Sequence, residues 1–209
     1  MNFSTRLFAI CVISLLITLL LKIFVVTDSL YFNSLAEKLS YEQIEVLLNT
    51  SKKWEWVGYL MVPIICLLKC SLVAVSLTLG IFFINGRFEF KKMLDASVRA
   101  EFVFLLPVVI KLLWFLFIQT SYTLQDFQYF SPLSALNIFD AQTLEPWLVY
   151  PLQVLNVFEL IYWITLAYFL SKELPELDIN RSMTVVMSSY GTGLVIWVAL
   201  VMFLTLTYT

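Results

Sequence analysis

The chain has 209 residues, 61% of them hydrophobic and 13% charged, with a net charge of −2 and no histidine. Soluble domains are about 45–50% apolar and about 25% charged, so this balance, with a mean hydropathy of +0.89, is that of a membrane protein. Weak net acidity excludes a nucleic-acid binder. The missing histidine removes imidazole base chemistry and the commonest metal ligand, and neither a metal nor a cofactor is expected.

The first 30 residues hold Arg6 and then an apolar run over 7–26. The run is long for a signal peptide, and VVTDSLYFN after it lacks a small-x-small cleavage pattern, so a retained first span is expected. Lys22 near its end is read as snorkelling outward along its methylene stem. In the polar stretch that follows, Ser40 and Gln43 form a capping box. Ile44, Leu47 and Leu48 then give a helical period. A short interfacial amphipathic helix is predicted over about 41–52. Trp54, Trp56 and Tyr59 are placed as an aromatic belt at the membrane boundary.

A second span is predicted over about 57–83, kinked at Pro63. Cys66, Lys69 and Cys70 share one face of it. A metal or redox role is weighed against packing, and packing is preferred because free cysteine behaves as a small hydrophobe. The three cysteines, Cys11 included, all lie in apolar stretches and form no disulfide framework. Asn85-Gly86 signals a turn. Over about 88–99, Phe90, Leu94 and Val98 fall on one helical face. Arg87, Lys91, Lys92 and Arg99 accompany them, which predicts a basic helix lying on the membrane surface. A plain solvated connector is the other reading.

A third span over about 102–119 carries Pro107 and a central Lys111. The segment 120–147 has no lysine or arginine. It is too short in apolar runs to span, so an interfacial or partly inserted segment is expected. A fourth span is predicted over about 148–170, with Pro146 and Pro151 bracketing its entry, where proline is tolerated in a first helical turn. In it Gln153, Asn156 and Glu159 recur every three residues, which on one helix places them on one side. A fifth span, over about 183–208, begins with small residues. Ser189 and Gly193 make a small-xxx-small pair suited to close helix approach.

These elements predict an all-α integral membrane protein of one domain with five transmembrane helices. Basic residues set its orientation. With the amino terminus cytoplasmic, seven (Arg6, Arg87, Lys91, Lys92, Arg99, Lys172, Arg181) face inward and three (Lys38, Lys52, Lys53) outward. The expected topology is N-in, C-out. Lys69, Lys111 and Glu159 all fall near the midplane by residue count at 1.5 Å rise. An isolated charge there costs about 2.5–3.5 kcal/mol on insertion scales, so Glu159 is expected to pair with Lys69 or Lys111.

The connector NGRFEFKKML (85–94) and the stretch LNVFELIYWITL (155–166) resemble patterns of the Yip1 family of multi-spanning membrane proteins. The resemblance extends over about 57–206. It implies the family's multi-span fold. Eukaryotic relatives are associated with vesicle trafficking and Rab GTPases, so it implies a eukaryotic endomembrane or, through bacterial relatives, an inner membrane. The residues themselves leave three functions open. The favoured one is a non-enzymatic scaffold or accessory subunit of a larger membrane complex, in contact with lipid and with another subunit or a second copy of itself. The alternative is a transporter or proton-coupled component using Glu159, Lys69 and Lys111. An intramembrane enzyme is the weakest, because no catalytic motif is present.

Overall fold

A computed structural model describes residues 2–36, 38–140 and 143–208. The protein is an all-α membrane protein. Helix α1 covers Phe3–Phe24, and α2 covers Asp28–Leu35. Helix α3 runs unbroken over Tyr41–Asn85. Helix α4, Phe90–Glu101, passes through a 3-10 turn into α5, Leu105–Leu113, and ends in a π turn, Trp114–Ile118. Then come α6, Leu124–Tyr129, and a single 3-10 turn at Ala135–Ile138. Helices α7, Pro146–Val154, and α8, Val157–Glu173, follow. Helix α9, Ile179–Val186, continues through a π turn, Met187–Gly191, into α10, Thr192–Tyr208. Among the described residues, four uninterrupted helices are long and apolar enough to cross a membrane: Phe3–Phe24, Tyr41–Ile84, Phe90–Ile118 and Ile179–Tyr208.

Three expectations change. The helix predicted over 41–52 is not separate. Ser40 caps it as read, with its hydroxyl accepting from the Gln43 amide and its own amide donating to the Gln43 side chain. Nothing between Lys52 and Val57 stops helix propagation, so it runs on for 45 residues, and Pro63 does not end it. At 1.5 Å per residue α3 is about 67 Å long, more than twice the hydrocarbon thickness. The helix predicted over 88–99 forms as α4 and leads straight into the next apolar stretch. Its Met93, Ala96, Val98 and Ala100 are fully buried in the protein, against α3 and α8, rather than laid on lipid. The stretch 148–170 is not one helix. It breaks at Leu155 and Asn156, where Asn156, in extended conformation, caps and starts a new helix.

The core lies where α3, α4, α8 and α9 meet. Leu77, Ile81, Met93, Leu166, Leu170 and Val185 fill it. A second cluster joins α1 and α5 to the α6 region, with Phe115 against Tyr122, Phe127 and Phe130. Gly86, left-handed at φ 66°, ends α3.

Ion pairs tie the helix ends together in two groups. At one end Arg6 donates to both oxygens of Asp95 at 2.8 and 2.9 Å. Asp95 also pairs with Arg99, which reaches Glu173 at 2.8 Å. Arg87 meets Glu176 there at 2.7 Å. At the other end Lys22 pairs with Glu55, and Lys52 with Asp28 at 2.6 Å. The Tyr122 hydroxyl donates to the Val25 carbonyl at 2.9 Å, and burial pushes its pKa up.

Candidate functional site

The polar interior is built on α8. The break before it leaves backbone groups without helical partners, which in hydrocarbon must be satisfied by protein. The turn at 131–134 supplies them. Leu133 takes a left-handed φ of 54°, which carries the chain alongside the break. The Ala135 amide donates to the Leu155 carbonyl at 2.8 Å, and the Val157 amide to the Leu133 carbonyl at 3.2 Å. Asn156 spans the gap with its side chain. Its Oδ1 accepts from the Glu159 amide at 2.8 Å. Its Nδ2 donates to the carbonyls of Gln153 at 2.8 Å and Val154 at 3.1 Å.

The break therefore changes how Gln153, Asn156 and Glu159 relate. They do not share a helix face: Gln153 sits in α7, Asn156 in the gap and Glu159 in the first turn of α8. A carboxylate in that position faces the positive end of the helix dipole. Glu159 is 9% exposed. Its Oε1 accepts two hydrogen bonds, from Trp163 Nε1 at 2.8 Å and from the Tyr190 hydroxyl at 2.7 Å. Tyr190 belongs to the π turn before α10, so this carboxyl joins α8 to the last helix.

The expected partner of Glu159 is elsewhere. Lys69 pairs with Glu101, Nζ to Oε1 at 2.7 Å. Its ammonium also lies 3.5 Å from the centre of the Phe104 ring and 5.7 Å from that of Tyr162. Lys111 faces the Phe127 ring at 4.1 Å, in the second cluster. Neither lysine forms an ion pair with Glu159 among the described residues. Residue counting fixes depth along a helix but not rotation about its axis, and Glu101 reaches the interior because α4 is continuous with the next apolar helix.

Around these carboxyls lie buried groups that the sequence did not single out. Ser97 stands one turn before Glu101 on α4, and Tyr162 packs between Phe104 and Tyr190, with ring centres 4.7 and 5.5 Å away. Ser97 Oγ, Glu101 Oε2 and the Tyr162 hydroxyl are all buried without a hydrogen bond of good geometry among the described residues. The signal for Glu101 was the four-residue step from Ser97 continuing the apolar period of α4 into the next span.

The basic residues read as a surface helix are distributed by contact. Arg87 and Arg99 are in the ion pairs described above. Lys92 pairs with Glu89 at 3.2 Å, and Lys91 is exposed. Ser189 and Gly193 do sit at a close crossing. A Cβ placed on Gly80 would lie 2.8 Å from Ser189 Cβ, and one on Gly193 would lie 3.3 Å from Ser76 Oγ. Two small-xxx-small pairs, Ser76/Gly80 and Ser189/Gly193, thus face each other in antiparallel order. Among the described residues no group of three or more cysteine, aspartate or glutamate side chains is placed to hold a metal ion.

Comparison with protein families, curated proteins and solved structures finds no match for the chain.

Proposed function

We propose that this chain is a non-enzymatic scaffold or accessory subunit of a larger membrane complex. It crosses the bilayer five times, N-in and C-out, with α7 and α8 together as the fourth crossing. The observation carrying this reading is how the interior polar groups are used. Lys69–Glu101 joins α3 to α4, Glu159–Tyr190 joins α8 to the last helix, and Asn156 joins α7 to α8. Polar contacts inside the bundle hold helices to helices, while α10 buries no residue and presents Val195, Ile196, Phe203 and Leu206 outward. That flank suits lipid, another membrane subunit or a second copy of the chain. The five-crossing topology is supported by the ion pairs that gather Arg6, Asp95, Arg99 and Glu173 at one end, with Lys22, Glu55, Lys52 and Asp28 at the other. A Yip1-like architecture, in a bacterial inner membrane or a eukaryotic endomembrane, is part of the same proposal. Purification in mild detergent after cross-linking in the native membrane tests it. A stoichiometric partner or a defined homo-oligomer is expected. A lone monomer that moves a substrate across liposomes would overturn it.

One observation favours the transporter reading as the second. The broken helix sets Glu159 beside a groove of ≈ 380 Å³, lined by Leu133, Leu155, Val157, Leu160, Trp163 and Leu194. Discontinuous helices at membrane depth are where transporters place substrates and coupling ions.

A further inference from the structure

The chain has three cysteines, and the fold brings all three together. Cys11 lies on α1, while Cys66 and Cys70 lie four residues apart on α3. The Cys66 thiol interacts with the Cys11 thiol across the helix boundary and with the Cys70 thiol along its own helix. Cys70 is fully buried, whereas Cys11 and Cys66 are each partly exposed.

A second observation, independent of sulfur, also sets Cys11 against Cys66. Helices α1 and α3 run antiparallel, and the Lys22–Glu55 ion pair fixes their register toward one end. Cys11 lies eleven residues before Lys22, and Cys66 lies eleven residues after Glu55. Eleven residues make about three helical turns, so each cysteine shares a helix face with the charged residue of its own helix. The register that joins Lys22 to Glu55 therefore also turns Cys11 toward Cys66. Cys70 is a different case. Positions four apart on one helix hold their Cβ atoms about 5–6 Å apart. A disulfide needs about 3.5–4.5 Å, so Cys66 and Cys70 could bond only by distorting α3. Thiols on two facing helices carry no such fixed spacing. Cys70 is left as packing.

We propose that Cys11 and Cys66 form a redox modification site, a thiol pair that a lipid-soluble hydroperoxide oxidises to an α1–α3 disulfide. In the first step one sulfur takes an oxygen from the hydroperoxide. The O–O bond breaks, the thiol proton passes to the departing alcohol, and a sulfenic acid remains. In the second step the other sulfur attacks it. The S–S bond forms, the S–O bond breaks, and the oxygen leaves with the second thiol proton as water. Two thiols lose two electrons, and the hydroperoxide gains them. The oxidant is lipid-soluble because Cys11 lies about 12 Å into α1, at hydrocarbon depth. The disulfide adds a covalent tie to the contact that Lys22 and Glu55 already hold, and thiol reductants reverse it. The inference goes beyond the scaffold reading and does not depend on it.

Treating the full chain in phosphatidylcholine vesicles with cumene hydroperoxide tests it. Maleimide labelling after denaturation counts the free thiols. The count should fall from three to one, and dithiothreitol should restore three. Trypsin, cutting after Arg6, Lys22, Lys53, Lys69 and Arg87, leaves each cysteine on its own peptide. Mass spectrometry of the unsubstituted chain then identifies the pair, and peptides 7–22 and 54–69 should be joined. In Cys70→Ser both remaining thiols should be lost, and in Cys11→Ser both should survive. Three thiols remaining in the unsubstituted chain, or a loss that dithiothreitol does not reverse, overturns the assignment. So does a disulfide joining 54–69 to 70–87, or one joining two copies of the chain, or a loss of thiols in Cys11→Ser.

Discussion

Gly80 gives the most direct test of the fold, because the neighbour that would meet a new side chain is known atom by atom. In Gly80→Ala the added methyl would lie 2.8 Å from Ser189 Cβ, 2.9 Å from Ser189 Oγ and 3.2 Å from Val185 Cγ1. Carbon atoms prefer about 3.5–4.0 Å, so the two helices must part by about 1 Å. Overpacking of this size costs about 1–3 kcal/mol. Alanine also returns about 0.8–1.0 kcal/mol of helix propensity. Gly58→Ala is the matched control, since it lies in the same helix with nothing within 4 Å of its new methyl. It gains the propensity alone, so the difference between the two variants should be about 1–3 kcal/mol. Equilibrium unfolding in mixed micelles reads it. Ser189→Gly in the Gly80→Ala background removes both of the closest contacts and should couple favourably, within the usual range of about 0.5–3 kcal/mol for touching residues. The reasoning fails if Gly80→Ala stabilises as much as Gly58→Ala, or if the double variant is merely additive.

Three further outcomes follow from other contacts. Lys69→Met strips the cation from buried Glu101 and should cost about 3–5 kcal/mol, while Lys111→Met, whose ammonium faces the Phe127 ring, should cost about 1 kcal/mol. Unfolding midpoints of the two variants check the order, and equal losses would contradict it. Asn156→Ala removes the α8 cap and both bonds across the break, at about 1–2 kcal/mol. Its signature is faster amide exchange confined to the start of α8, and a global loss without that local change would count against it. For topology, a cysteine placed at Gln128 in a variant lacking Cys11, Cys66 and Cys70 should react with a membrane-impermeant reagent from outside. One placed at Glu89 should not, and the reverse pattern would reject the N-in orientation.

The sequence disclosed what local chemistry decides. Four of the five apolar runs long enough to cross hydrocarbon became uninterrupted helices, the Ser40–Gln43 box capped α3, and Asn85-Gly86 ended it. Ser189 and Gly193 were recognisable from spacing alone. Their counterpart, Ser76 and Gly80, has the same spacing and was open to the same reading. The break at Leu155–Asn156 was also written in the chain, since Asn156 favours a cap. It was obscured by the unbroken apolarity around it, because composition does not separate one long helix from two short ones.

What spacing could not supply was rotation about a helix axis. By residue count Lys69, Lys111 and Glu159 fall at similar depth, yet the ammonium groups point to Glu101 and Phe127, and the carboxyl to Trp163 and Tyr190. Depth alone predicts which charges are unaffordable in lipid. It leaves open whether a given one is answered by an opposite charge, an aromatic face or a pair of neutral donors. The choice is fixed by which helix packs beside it, and here close small-residue packing brings the last helix, with Tyr190, against α3 and α8. Tyr190 then fills the place beside Glu159 where a lysine was expected. The same close packing that makes Gly80 intolerant of a methyl group therefore determines which donor Glu159 meets from the last helix.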